Sequence, residues 1–152
     1  MPATYNAEHL TARAERRMVD FAPDGTTLTL VDLDPGSTAE CLPIALFRRF
    51  LAGFFRTVGT DALQKFEIIA ATDGDGTGAT VVVSHPLTAV PDAVGDTIWL
   101  ECDVEQIREV LPAATHVGVR AQFATATDEG VVYFERAEPY YAQAGLTKDR
   151  VA

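Results

Sequence analysis

Histidine, cysteine and tryptophan are scarce in this sequence, whose 152 residues include three, two and one of them, respectively. Cys41 and Cys102 are too few for a zinc cluster or a disulfide framework, so we expect free thiols from a reducing compartment. His9, His85 and His116 do not form the i, i+3 or i, i+4 pair of a helical metal site. With no Walker or dinucleotide-binding motif either, we predict a protein without a cofactor.

Basic residues are also few, with 12 lysines and arginines against 22 acids and a formal net charge of -10. Because nucleic-acid phosphates require a basic footprint, we expect no direct binding to nucleic acid. The longest apolar run is interrupted by Arg48 and Arg49 and is too short to span a bilayer, and the N-terminus lacks the apolar centre of a signal peptide. We therefore expect a protein without membrane contact, made in a cytoplasm.

The stretch that dominates the sequence is residues 42–58, LPIALFRRFLAGFFRTV, which holds four of the eight phenylalanines. Helical spacing places its large apolar side chains on one broad side. That side contains Leu46, Phe47, Phe50, Leu51, Phe54, Phe55 and Val58. Pro43 suits a first helical turn and Gly59 a C-terminal cap, so the pattern predicts a Phe-rich amphipathic helix.

The rest of the chain is rich in strand patterns. Residues 26–33, 65–72, 79–84, 97–102, 115–125 and 131–137 read as strands. The second and third strands form one predicted hairpin, and the last two form another. Asp103, with Gln106 three residues on, begins a short helix by a capping box. The expected fold class is α+β: about six strands in a mainly antiparallel sheet, covered by the Phe-rich helix and one short helix.

Residues 1–152 are expected to form a single domain, because no repeat or long linker divides them. Residues 1–20 are polar and are either an extended arm or a short helix over residues 7–19. Residues 140–152 are a polar tail that follows the expected last strand.

The loop DGDGTG at residues 73–78 is the best metal candidate. Asp73, Asp75 and Thr77 match the first half of a calcium loop, in which alternate oxygens point inward. The twelfth position is Ser84 instead of a bidentate glutamate. Because Asp/Gly loops between strands also form for conformational reasons, we predict no metal site and keep these three residues as weak candidates.

Cys102 lies where a strand meets a helix, a position that can lower the pKa of a thiol and create a nucleophile. Its neighbours Glu101 and Asp103 would oppose a thiolate, and no histidine stands in an assignable relation to it. A buried structural thiol is the preferred interpretation.

An enzyme alternative comes from residues 29–32, TLVD, which resemble the strand that ends in the catalytic aspartate of isochorismatase-like cysteine hydrolases. The resemblance would make Asp32 that aspartate and Cys102 the nucleophile. It also requires a downstream lysine within an alternating parallel α/β pattern. Lys65 is the only mid-chain lysine, and hairpins follow it.

The whole arrangement resembles the small β-rich accessory proteins of tailed-phage particles, namely head-decoration or cement proteins and related virion components. The resemblance is carried by the polar N-terminal arm, the strands rich in alanine, threonine, valine and glycine, the loop at 73–78, residues 99–119 and the ending at 145–149. It implies a non-enzymatic virion protein, made in the host cytoplasm. Its partners would be copies of itself, in a homo-oligomer such as a trimer, and the major capsid protein or another virion protein.

We therefore predict a capsid-decorating or other head–tail accessory protein with no catalytic residues. Its interface candidates are Arg48, Arg49, Arg56, Tyr140 and Tyr141, together with the arm and the tail.

Two alternatives stay open at this point. One is a small binding or regulatory module whose ligand pocket lies between helix and sheet, near Trp99 and Phe66. The other is the cysteine hydrolase that uses Cys102.

Overall fold

The computed structural model describes residues 14–22, 26–59, 63–85 and 93–138. Those residues form nine strands and one short helix. In chain order the elements are β1 (Ala14–Phe21), β2 (Thr29–Leu30), β3 (Leu42–Pro43), β4 (Arg49–Val58), β5 (Leu63–Ala71), β6 (Thr80–Ser84), β7 (Thr97–Asp103), α1 (Val104–Val110), β8 (His116–Phe123) and β9 (Glu129–Ala137).

The strands build two antiparallel sheets that pack face to face. The first sheet has the order β1-β9-β4-β7, and the second has the order β2-β8-β5-β6, with β3 also paired to β8. Because β5 occupies one edge of β8 along its length, β2 and β3 share the other edge and act as one broken strand. If β2 and β3 count as one strand, eight strands remain. Numbered again in chain order, they follow the orders 1-8-3-6 and 2-7-4-5 in the two sheets, which define a jelly roll.

Aromatic side chains from both sheets fill the space between them. Phe54 of β4 lies 5.8 Å from Phe66 of β5 and 5.5 Å from Phe123 of β8, measured between ring centroids. All three are fully buried. Burying each such side chain contributes about 1.5–3 kcal/mol, so this cluster is a main source of the attraction between the sheets.

The prediction of a Phe-rich amphipathic helix over residues 42–58, and with it the α+β fold class, is wrong. Residues 42–43 are β3, a turn follows in which Leu46 has φ +74°, and residues 49–58 are β4. In β4 the side chains of Phe50, Ala52 and Phe54 enter the core. A strand with apolar residues on both faces satisfies a helical wheel as well, and here β4 pairs with β7 and β9 on its two edges.

Of the other predicted elements, two are confirmed and one is wrong. The hairpin of β5 and β6 is confirmed, and so is the capping box in which Asp103 and Gln106 begin α1. The hairpin expected from the last two strands is wrong, because β8 pairs with β5 in one sheet and β9 with β4 and β1 in the other. The connection between β8 and β9 therefore crosses from sheet to sheet, which adjacency in sequence does not reveal.

The chain termini are described only in part. Residues 14–20 of the expected N-terminal arm belong to β1, which pairs with β9, so the alternative of a helix over 7–19 is wrong for its described part. The tail at 140–152 lies outside the described residues. The single-domain organisation of residues 1–152 stays a prediction.

A buried ion pair connects the end of β4 to the loop before β9. Arg56 and Asp128 are each 1% exposed, and their Nη1 and Oδ2 atoms lie 3.0 Å apart. The Arg56 guanidinium also stands 5.6 Å from the centroid of the Phe123 ring. Gly59, with φ +102°, lies so close to Asp128 that a Cβ there would overlap the carboxylate. This end of the sandwich is thus fixed by one charge pair and by a glycine that makes room for it.

Asp128→Asn removes the negative charge that compensates the buried Arg56 guanidinium, which should lower the free energy of unfolding by about 3–5 kcal/mol. Equilibrium urea denaturation measures the loss. The exposed Asp20→Asn change in β1 is the control and should stay within about 0.5 kcal/mol of the unmodified chain. Equal stability of the two variants would contradict a structural role for the pair.

Candidate functional site

The outer face of the first sheet carries a row of side chains that crosses all four strands. Met18 of β1 is in register with Tyr133 of β9, Tyr133 with Gly53 of β4, and Gly53 with Trp99 of β7. Directly paired residues in antiparallel strands point to the same side of the sheet. Ala52 and its cross-strand partners Leu100 and Phe134 form the adjacent row, and they are buried. The row that contains Gly53 therefore faces away from the core.

Trp99 lies over Gly53. A Cβ at position 53 would come within 2.5–2.8 Å of three atoms of the indole ring, so only glycine allows this ring position. Two further rings contact the indole edge-on. The ring centroid of Phe55 lies 5.3 Å from that of the indole at an interplanar angle of 89°, and the ring centroid of Tyr133 lies 5.7 Å away at 68°. The indole is nevertheless 48% exposed. The sheet therefore presents a supported aromatic platform to the solvent.

The ring of Tyr133 is oriented by hydrogen bonds. Its hydroxyl donates to Glu135, and the same carboxylate accepts a hydrogen bond from Arg16 Nε at 3.0 Å. Partial burial, followed by the hydroxyl's hydrogen bond to Glu135, raises the pKa of Tyr133 above its usual value. The phenol therefore stays neutral at physiological pH, and its position is set before any ligand arrives.

Two adjoining depressions begin in the row next to this one, at Leu51, Glu101 and Glu135, and lead toward α1. The nearer, of about 210 Å³, lies over β4, and the larger, of about 530 Å³, reaches the start of α1. Arg49, Glu101 and Glu138 line both. Arg49 forms ion pairs with both carboxylates, at 3.5 Å to Glu138. The aromatic row and the two depressions together are named the outer groove below.

Neither cysteine is placed for chemistry. Cys102 is 2% exposed and faces the core between the sheets, and burial raises the pKa of its thiol to about 12. Cys41 is 1% exposed, and burial raises the pKa of its thiol to about 12 as well. Its Sγ packs on Gly118, where a Cβ would come within 2.6 Å. Both thiols are therefore packing groups in the described part of the chain.

The geometry does not assemble the hydrolase set either. Lys65 has an exposed side chain on β5, in the opposite sheet from the buried Cys102. The Asp32 carboxylate is used locally, where its Oδ1 accepts a hydrogen bond from the Asp34 amide at 3.0 Å. These three residues do not share a site.

Native protein should resist iodoacetamide at about pH 8, because thiolates are the reactive form and neither thiol ionises in that range. Labelling in urea should modify both cysteines. The same pKa values have a stability consequence: unfolded thiols ionise near 9.0 and folded thiols near 12, so the free energy of unfolding should fall across that interval. Rapid native labelling of Cys102 would contradict this account.

The calcium candidates form a turn that is held by its own side chain. Asp73 Oδ1 accepts hydrogen bonds from the amides of Asp75, at 3.1 Å, and Thr77, at 3.0 Å. Hydrogen bonds from Thr77 lower the pKa of the Asp73 carboxyl. Within residues 14–22, 26–59, 63–85 and 93–138, no three His, Cys, Asp or Glu side chains are grouped to hold a metal ion.

The three predicted interface arginines do not all share a surface, because only Arg48 and Arg49 line the outer groove. Arg56 lies in the interior, whereas Arg49 is exposed at the outer groove and Arg48 lines its larger depression. Tyr140 and Tyr141 fall outside the described residues. A role for any of these residues in an interface stays a prediction.

The ligand pocket expected between helix and sheet is absent from the described chain, because the helix that would form it is a strand. Phe66 is in the core and Trp99 is outside it, on the opposite side of the first sheet. Sequence reasoning missed Gly53, Phe55 and Tyr133. A signal existed in β7, where Thr97, Trp99 and Glu101 alternate with apolar residues and so mark an outward Trp.

No protein-family profile matches this sequence, and comparison with curated proteins gives no match. Among solved structures, the chain is similar to the K2 cleaved adhesin domain of Lys-gingipain, with 14% identity, a TM-score of 0.36, and coverage of 63% of this chain and 60% of that one. It is similar to a structure of infectious bursal disease virus, Gx strain, with 11% identity, a TM-score of 0.41, and coverage of 87% and 34%. The coat protein of tobacco streak virus gives 11% identity, a TM-score of 0.34, and coverage of 83% and 88%.

These structural neighbours thus include viral particle proteins and an adhesin domain, all distant. The chain spans less than two thirds of the first two. At this level of similarity the likenesses carry no argument about function. Within the described residues, no helix is long and apolar enough to cross a membrane.

Proposed function

We propose that this chain is a non-enzymatic structural protein that associates with copies of itself and seats on a larger protein lattice. In its specific form, the proposal is a decoration or other accessory protein of a tailed-phage capsid. The observation that carries it is the edge of the first sheet. Strand β1 is eight residues long, and only β9 pairs with it within the described chain. A long edge strand is a template for pairing with another chain.

The side chains of β1 favour contact between copies. Met18 is 69% exposed, which is high for an apolar residue in a strand. Arg16 and Glu15 put both signs of charge on the same strand, so two antiparallel copies of β1 can place opposite charges together. Pairing along this edge would leave Trp99 free, because Trp99 lies three strands away, about 14 Å at the usual strand spacing.

Two of the less exposed arginines of the described chain are held in structural pairs, which agrees with a role that needs no reactive group. Arg136 illustrates this: it bonds Glu15 of β1, donates to the Pro43 carbonyl at 2.7 Å, and stands 4.6 Å from the ring centroid of Phe47. Arg120 likewise bonds Glu67 at 2.8 Å. Catalytic acids and bases are instead held near their working pKa in open clefts.

Sedimentation velocity of the purified chain tests self-association. We expect a species heavier than the 16.4 kDa monomer, and we expect Met18→Lys to shift it toward monomer, because a lysine blunts an edge strand. Val94→Lys changes a residue of similar exposure in a loop and is the matched control. A monomer at about 100 µM, where contacts with a dissociation constant below that concentration would be occupied, would contradict self-association of the free chain.

The lattice partner is tested separately, by co-expressing the chain with the capsid protein encoded nearest to it. Shells purified by gradient centrifugation should carry the chain in a fixed ratio. Shells that form without it, although the chain is soluble and folded, would contradict the decoration role.

A further inference from the structure

The outer groove combines three features that packing of the two sheets does not require together. The indole of Trp99 is half exposed and packs on the sheet through its inner face. Two ion pairs, each with a glutamate in the next row of the sheet, lie beside it. The depressions begin at those glutamates. We propose that the outer groove is a binding site for a neutral polysaccharide, with Trp99 as the stacking platform and the ion pairs as hydrogen-bonding partners of its hydroxyls.

The platform suits a sugar ring. A pyranose has an apolar face of C–H groups, which stacks on an aromatic ring and buries area on both. The inner face of the Trp99 indole packs on Gly53, whereas its outer face is open to solvent and can contact a ligand. Phe55 and Tyr133 hold the indole in place, so stacking costs little ordering of the protein.

The charges on this face select a neutral ligand. In the row beside the platform, Arg16, Glu135, Leu51 and Glu101 are in register across the four strands. Glu135 is paired with Arg16, and Glu101 with Arg49, so each carboxylate is already compensated. An anion would meet these carboxylates, and a cation would meet the guanidinium groups. Hydroxyls donate to carboxylates and accept from guanidinium groups, so a polyol can use both members of each pair.

The size of the face favours an extended saccharide over a second copy of the chain. Four strands span about 14 Å, and the ten residues of β4, the longest of them, span about 34 Å, which gives a plan area of at most roughly 480 Å². A specific protein interface buries about 800 Å² on each partner. A polysaccharide needs no such area, because it lies along a groove and contacts it ring by ring.

Because Trp99 is the only tryptophan of the chain, its fluorescence reports directly on the site. The probes are five neutral hexasaccharides, namely cellohexaose, xylohexaose, laminarihexaose, mannohexaose and hexa-N-acetylchitohexaose, with the anionic hexagalacturonate as the charge control. We expect at least one neutral probe to shift the Trp99 emission and to release heat in calorimetry, with a dissociation constant below about 1 mM.

Variants then assign the contact. Trp99→Phe keeps an aromatic cover on Gly53 but reduces the platform, and Glu101→Gln removes one charged acceptor without changing its shape. Each should weaken the calorimetric affinity by about tenfold. Val81→Ala changes a residue that is about a third exposed on the opposite sheet, and it should leave the affinity unchanged. Far-UV circular dichroism checks that all three remain folded.

Three results would overturn the proposal. One is the absence of both signals with every neutral probe at about 5 mM, which is above the affinity expected. Another is binding of hexagalacturonate alone. The third is dissociation of the oligomer by Trp99→Phe in sedimentation velocity, which would make this face a contact between copies.

Discussion

Strand β4 is the constraint on which the rest of the structure depends, because it is apolar on both of its faces. Phe50 and Phe54 point inward, and Phe54 contacts aromatic rings of the opposite sheet. On the outer side Gly53 and Phe55 support Trp99. A central strand used on both sides fixes how the two sheets pack and where the aromatic platform stands. The fold and the candidate site are therefore consequences of one segment.

That double use also explains why the sequence misleads here. An amphipathic strand alternates apolar and polar residues, but residues 49–58 do not, and they fit a helical wheel equally well. Gly53 in the middle of the segment is the residue that argues against a helix, at a cost of about 1 kcal/mol relative to alanine. Where one face is polar, as in β8, the strand can be predicted, and β5, β6 and the capping box at Asp103 can be predicted from local signals.

The site could be predicted only in part, for a related reason. Alternation in β7 marks Trp99 as outward-facing, and Arg49 is recognisable as a surface charge. The partners of Trp99 come from β4 and β9, which are remote in sequence. Strand β4 pairs with β7 directly, and β9 reaches the other edge of β4 because the chain crosses between the sheets after β8. The burial of Arg56 likewise depends on Asp128, which is brought to it by that same crossing. Local patterns do not carry pairings of this kind.

Strand β4 lying beneath the indole of Trp99 is the central claim, and proton NMR of the folded chain tests it most directly. Ring currents from an indole stacked on Gly53 should move its α-protons strongly upfield, with cross-strand Overhauser contacts to the Trp99 and Tyr133 rings. Sequential amide–amide contacts through residues 49–58, with Gly53 α-protons at ordinary shifts and no contact to Trp99, would show a helix there and contradict the account.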